Sequence, residues 1–158
     1  MRRLLIAVAV LCAACSGAAS VPRGARSVSG GCGPTALYQG GSETWARAGP
    51  SGLVQATSHN GNAVAFLFAH PLRAGEPDNP ANKILWVVKQ PRDGADLDIT
   101  GHPLGATAPT VAQHVAADSG PGEIYPSIVN VPRAGCWQFT LSWNGHADTI
   151  ELPYSQAS

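Results

Sequence analysis

Apolar and polar residues alternate over 136–143 (CWQFTLSW) and again over 150–154 (IELPY). Because successive side chains of a strand point to opposite faces, each segment predicts a β-strand with one buried face. The dipeptide Asn144-Gly145 separates the two segments and favours a type I′ turn, whose two central residues need positive φ. The pattern therefore predicts a β-hairpin in which Trp143 pairs with His146.

Six further segments have the composition of strands, and Gly, Pro, Asn or Asp occurs in nearly every gap between them. They are 53–57, 63–69, 84–90, 96–100, 110–115 and 124–131. Eight short strands at this spacing predict an all-β chain that folds as an antiparallel β-sandwich with Ig-like topology. A small β-barrel is the alternative. Only 41–48 (GSETWARA) favours helix, of one or two turns.

The N-terminal segment 1–14 (MRRLLIAVAVLCAA) has two arginines and then an apolar run that is too short to span a bilayer. Two alanines precede Cys15, which resembles the cleavage site of bacterial lipoproteins. We expect a signal peptide over 1–14 and a lipid on Cys15, which would anchor the protein to the outer face of the cytoplasmic membrane. Ordinary secretion, with cleavage after residues 18–20, is the alternative.

Few large apolar residues occur in 15–31, which predicts a flexible tether before a domain over 32–158. Cys32 and Cys136 would be the cysteines left after lipidation, and a disulfide between them is expected in an oxidising compartment. Two buried free thiols are the alternative. Because Cys136 alternates with Trp137, the disulfide should fasten the N-terminal segment to the outer face or edge of a sheet.

The net charge and the motifs argue against nucleic-acid binding and favour a role other than catalysis. Lys+Arg and Asp+Glu are 10 each, so the formal net charge is zero and there is no basic footprint for nucleic acid. Charged residues make up 13% and hydrophobic residues 44%, which favours a packed core over disorder. No nucleophile elbow or phosphate-binding loop occurs, so we predict no cofactor and favour a non-enzymatic role.

Metal binding has little support in the residue spacing. The five histidines include no HxH or HxxxH pair, and the acidic segment 92–98 (RDGADLD) lacks the calcium-loop pattern. We therefore predict no metal site. Trp45 lies outside the predicted strands, and burial as a plug over the end of the sandwich is favoured over an exposed anchor.

The segment 70–83 (HPLRAGEPDNPANK) is long for a connection between two strands, and long polar loops often carry recognition. It is the best candidate for a binding loop, and its candidate residues are His70, Arg73, Glu76, Asp78 and Asn79. The alternative is a proline-stiffened connector that crosses between the two sheets.

Three segments, NKILWVVKQPRDGADLDITGHPLG, PGEIYPSIVNVP and GCWQFTLSWNGHADTIELPY, resemble a group of small actinobacterial exported proteins and lipoproteins. The resemblance covers most of the chain from Cys32 onward. It implies export and an Ig-like domain, and it supplies no catalytic residues.

These observations favour a membrane-anchored monomer whose non-enzymatic β-domain binds a protein or glycan of the cell envelope. A histidine-based metal-handling protein and a small envelope hydrolase are the alternatives. Histidines that meet at one point would favour the metal-handling protein, because the ligands must reach one ion. A histidine–carboxylate pair beside a serine would favour the hydrolase.

Overall fold

The computed structural model describes residues 23–41, 43–46, 52–89, 92–122 and 124–157. Their strands are β1 (Arg26–Cys32), β2 (Thr35–Gln39), β3 (Val54–Thr57), β4 (Ala63–Leu67), β5 (Leu72–Ala74), β6 (Lys83–Val88), β7 (Leu97–Pro103), β8 (Val111–Val115), β9 (Ile124–Ile128), β10 (Gly135–Trp143) and β11 (His146–Gln156). Short 3₁₀ helices occupy Thr44–Ala46, Pro80–Asn82 and Ala117–Ser119.

The strands form two sheets. The first sheet has the order β1-β2-β3-β4-β6-β9 and the second has the order β5-β11-β10-β7-β8. Every pairing is antiparallel except that of β5 with β11. The predicted β-sandwich is therefore confirmed, and all eight predicted strands are present.

The β10–β11 hairpin has the predicted register. Trp143 pairs with His146, and Trp137 pairs with Leu152. Asn144 and Gly145 have φ of 42° and 74°, as a two-residue turn of this type requires. This agreement follows from local information, because the turn dipeptide fixes the pairing of the strands on either side.

The core lies between the sheets and is centred on aromatic side chains. Trp86 of the first sheet lies 6.2 Å, centroid to centroid, from Phe139 of the second, and Phe139 lies 6.2 Å from Tyr154. Trp137 is also fully buried. Trp86, Trp137 and Trp143 all point into the core, because all three are in the same buried cluster.

A second apolar cluster lies on the outer face of the first sheet, where Val64, Phe66 and Val87 are buried. Trp45 is half-buried against this cluster. The prediction of a covering role for Trp45 is correct, but the residue covers the face of a sheet and not the end of the sandwich. The cause is that β4 and β6 are apolar on both faces, so both faces need cover.

Cys32 and Cys136 form the predicted disulfide. It joins β1 of the first sheet to β10 of the second, on the side of β10 opposite Trp137. The predicted tether over 15–31 is wrong for Arg26–Gly31, which is part of β1. This strand has small, mostly exposed side chains and is held by pairing with β2 and by the disulfide, so its sequence resembles a linker.

Candidate functional site

A cleft of about 440 Å³ lies where β8 and β9, the edge strands of the two sheets, come side by side. The tip of the β5–β6 connection forms its third wall. Its lining residues are Pro77, Asp78, Val111, Ala112, Gln113, Ile128, Val129 and Asn130. We call it the edge cleft.

A second cleft of about 400 Å³ adjoins the edge cleft and shares Pro77 and Asn130 with it. Its other lining residues are Gly75, Glu76, Val131 and Pro132. Glu76 and Asp78 therefore border adjoining clefts on either side of Pro77. Neither set of lining residues contains a basic side chain, so the paired clefts have acidic character.

The wall formed by the loop is held by a buried asparagine. Asn82 is fully buried, and its Oδ1 accepts from the Arg73 backbone N–H at 2.8 Å. Its Nδ2 donates to the Arg73 carbonyl at 2.6 Å and to Asn130 Oδ1 at 2.8 Å. Asn130 Nδ2 in turn donates to the Pro77 carbonyl at 2.8 Å. These bonds fix the loop against the end of β9, so the clefts are preformed.

A side-chain hydrogen bond joins the two edge strands within the edge cleft. Gln113 of β8 donates through Nε2 to the Ile128 carbonyl of β9. The Gln113 Oε1 atom is buried and has no hydrogen-bond partner among the residues that the structure describes. Ile128 is 42% exposed, which is high for a large apolar side chain. The edge cleft thus combines an exposed apolar rim with acceptor groups.

The five candidate residues of the binding loop fall in different places. Glu76 and Asp78 line the clefts. Arg73 donates to the Gln156 carbonyl at 3.1 Å, and Asn79 accepts from the Ala81 N–H at 2.9 Å as the cap of a 3₁₀ helix. His70 lies beside Gly30 of β1. The segment also crosses to the second sheet as β5 and returns, so it is a connector as well as a wall of the clefts.

A buried carboxylate lies on the outer face of the second sheet. Glu151 of β11 is fully buried and accepts from Gln138 Nε2 at 2.8 Å, from His59 Nε2 at 2.6 Å and from the Thr35 hydroxyl. Burial alone would raise the pKa of this carboxyl, but the hydrogen bonds from Thr35, Gln138 and His59 outweigh burial and lower it. Glu151 is therefore an anion at neutral pH.

The imidazole of His59 is held from both sides. Its Nδ1 lies 2.9 Å from the Thr149 hydroxyl, and its Nε2 lies 2.6 Å from Glu151 Oε2. The backbone N–H of His59 also donates to the Thr149 carbonyl at 2.9 Å. The β3–β4 loop that carries His59 is fixed by Asp148, which accepts from the Ser58 hydroxyl at 2.7 Å and from the Asn60 N–H at 3.1 Å. The loop is thus anchored on β11.

This cluster was not predicted from the sequence. Glu151 lies between Ile150 and Leu152, so alternation alone indicates a solvent-facing side chain. Its burial could have been inferred from the expected disulfide, because the segment fastened by Cys32 has to cover part of that face. The hydrolase alternative required a histidine–carboxylate pair beside a serine, and the structure places a threonine at that position.

His114 lies between two aspartates. His114 contacts Asp98 Oδ1 through Nδ1 at 2.8 Å and Asp96 Oδ2 through Nε2 at 3.1 Å on the exposed surface. Within the described ranges, no group of three or more His, Cys, Asp or Glu side chains is arranged to hold a metal ion.

The predicted signal peptide and Cys15 lie outside the described residues. Over the described parts of the chain, the structure contains no helix with the length and apolarity needed to cross a membrane.

Comparison with known proteins adds little. No protein-family model matches the chain, and no curated protein matches it. A crystal structure from Bacillus anthracis described as a "putative lipoprotein" is similar to this chain with a TM-score of 0.46 and 14% sequence identity. The match covers 67% of this chain and 81% of that one. At this level of similarity the neighbour carries no argument about fold or function.

Proposed function

We propose that the chain is an exported, lipid-anchored protein whose β-sandwich binds a component of the cell envelope through the edge cleft and the cleft beside it. The observation that carries the binding role is the pair of adjoining clefts between β8, β9 and the loop. They are concave, preformed by the Asn82 and Asn130 bonds, and bordered by an exposed isoleucine, which are features of recognition sites.

Export and anchoring are supported by two independent features. Residues 1–14 have the charge and length of a signal peptide, and alanines precede Cys15. The Cys32–Cys136 disulfide fits an oxidising compartment, where such bonds persist. Replacing Cys15 with serine should move the protein from the membrane fraction to the medium. A wild-type protein that is already in the medium and begins after residue 20 would contradict the anchor.

The acidic border of the clefts points to a ligand that presents a positive charge beside apolar surface. Asp78 and Glu76 supply the negative charge, while Pro77 and Ile128 supply apolar contact. A protein segment or an amino-substituted glycan has this chemistry. Because the clefts contain no basic lining residue, an anionic ligand is disfavoured by charge.

The experiment compares charge reversal inside and outside the cleft. Asp78→Lys should abolish capture of an envelope component that wild type captures from a membrane extract, whereas Asp118→Lys should not. Asp118 is exposed in the 3₁₀ helix after β8 and does not line either cleft. Equal capture by wild type and Asp78→Lys would place the binding surface elsewhere and refute the proposed site.

A further inference from the structure

Thr149, His59 and Glu151 form one continuous hydrogen-bonded chain from the surface to the interior. Thr149 Oγ1 lies 2.9 Å from His59 Nδ1, and His59 Nε2 lies 2.6 Å from Glu151 Oε2. An anionic carboxylate only accepts hydrogen bonds, so the proton of the neutral imidazole resides on Nε2. His59 Nδ1 is then an acceptor, and the Thr149 hydroxyl donates to it.

Of the three side chains, only that of Glu151 is fully buried. The His59 side chain is 32% exposed, and the Glu151 side chain is fully buried. Thr149 is half-buried. The Thr149 hydroxyl and the His59 imidazole are therefore both partly accessible from solution, while the carboxylate is shielded. A nucleophile with an adjacent base and a third group that orients the base is the arrangement used in covalent catalysis.

We propose that Thr149 is a nucleophile that accepts acyl groups from small activated carboxylic esters, with His59 as general base and Glu151 as the positioning residue. The Thr149 oxygen attacks the ester carbonyl carbon, and its proton passes to His59 Nδ1. The bond from that carbon to the leaving oxygen breaks, and His59 returns the proton to the leaving alcohol. An acyl ester on Thr149 remains.

Water completes the cycle through the same base. It attacks the acyl carbon, gives a proton to His59 and displaces the Thr149 oxygen, which takes that proton back. One ester and one water thus yield one carboxylic acid and one alcohol. No metal, oxidant or second protein group is consumed.

The surrounding bonds fix the geometry before any substrate arrives. Asp148 fixes the β3–β4 loop, and the bond from the backbone N–H of His59 to the Thr149 carbonyl holds this loop beside Thr149. Gln138 and Thr35 hold the carboxylate of Glu151. A positioned base of this kind contributes rate factors of about 10²–10⁴.

A purely structural role for these contacts predicts the same distances but no reactivity at Thr149. The chain offers a matched control in Thr140, which pairs directly with Thr149 across β10 and β11 on the same face. No bond from Thr140 to a histidine is present among the described residues. Thr140 therefore reports the reactivity of a threonine hydroxyl in the same setting without the base.

The experiment treats the full chain with p-nitrophenyl acetate and maps acetylation by peptide mass spectrometry, beside the release of p-nitrophenol. We expect acetyl on Thr149 at a rate about a hundredfold above that on Thr140, which corresponds to an ordinary general-base contribution. His59→Gln should remove that excess, and Thr149→Ser should keep it. Thr149→Ala should abolish the acetylated peptide and leave acetylation elsewhere unchanged.

Folding of each variant is checked by its thermal melt, and the comparison of Thr149 with Thr140 in the wild type keeps the test decisive if His59→Gln unfolds. Glu151→Gln should lower the rate and change its pH dependence, because the oriented tautomer is lost; a purely structural residue would change stability alone. Acetylation of Thr149 in the wild type that does not exceed that of Thr140 would overturn the proposal. So would an unchanged excess in a folded His59→Gln protein.

Discussion

Replacing Trp137 with alanine tests the inner face of β10 and the register of the sandwich. Trp137 is fully buried in the main core, and its Nε1 donates to the Arg133 carbonyl at 2.9 Å. Truncation of a buried tryptophan to alanine removes its transfer free energy and leaves a cavity, which together lower the free energy of unfolding by about 3–5 kcal/mol. For a domain of this size the melting temperature should fall by roughly 10–20 °C.

The assay is thermal unfolding followed by near-ultraviolet circular dichroism, with denaturant unfolding as a second measurement of the free energy. Thr140→Ala is the control, because Thr140 lies on the outer face of the same strand. Its effect should stay within about 0.5 kcal/mol. A Trp137→Ala protein that melts within two or three degrees of wild type (about the scatter expected of a surface substitution) would refute the assignment of this face to the core.

Three further changes have defined outcomes. Replacing both Cys32 and Cys136 with serine should lower the unfolding free energy by about 2–5 kcal/mol, since the bond closes a loop over a sequence separation of 104, and denaturant titration measures it. Gly145→Val should lower the melting temperature because φ at this position is 74°, where a β-branched residue is strained by about 1–2 kcal/mol. A hydrogen bond to Asp98 raises the pKa of His114 in the folded protein. The protonated imidazole therefore stabilises the fold below the unfolded pKa of about 6.5, and this contribution is lost as pH rises through the folded pKa. His114→Gln should therefore melt below wild type at about pH 5 and beside it at about pH 9; the reverse order would contradict the ion pair.

The strands that the sequence predicted are those whose identity is encoded locally. In β10 and β11 the alternation of apolar residues and the Asn144-Gly145 turn agree, so both the strands and their register could be derived. The β6 strand was equally clear because Ile84, Trp86 and Val88 alternate toward the core.

The sequence did not predict β1, β2 and β5, and two of these three strands, β1 and β5, depend on tertiary contacts. β1 has exposed, small side chains and is defined by its pairing with β2. β5 has three residues, which lie inside a polar loop and pair with β11 in parallel. Neither has a hydrophobic period of its own, so only the partner strand determines its structure.

The candidate site could likewise be predicted from the sequence only in part. The loop that carries Glu76 and Asp78 was recognisable by its length and polarity, but the other wall comes from β8 and β9, which are distant in sequence. The burial of Glu151 follows from a covering segment more than a hundred residues earlier in the chain, where Thr35 lies. A long-range contact of this kind leaves no periodic signal in the strand that it covers.

Site-specific photo-crosslinking in the edge cleft tests the binding role most directly. A photoreactive phenylalanine analogue at Ala112, which is exposed and lines the edge cleft, is compared with the same analogue at Ser119, which is exposed on the 3₁₀ helix after β8 and lines neither cleft. Illumination of cells that carry the anchored protein should give a discrete adduct with an envelope component from position 112 and none from position 119. No adduct from position 112, or equal adducts from both positions, would contradict binding through the edge cleft.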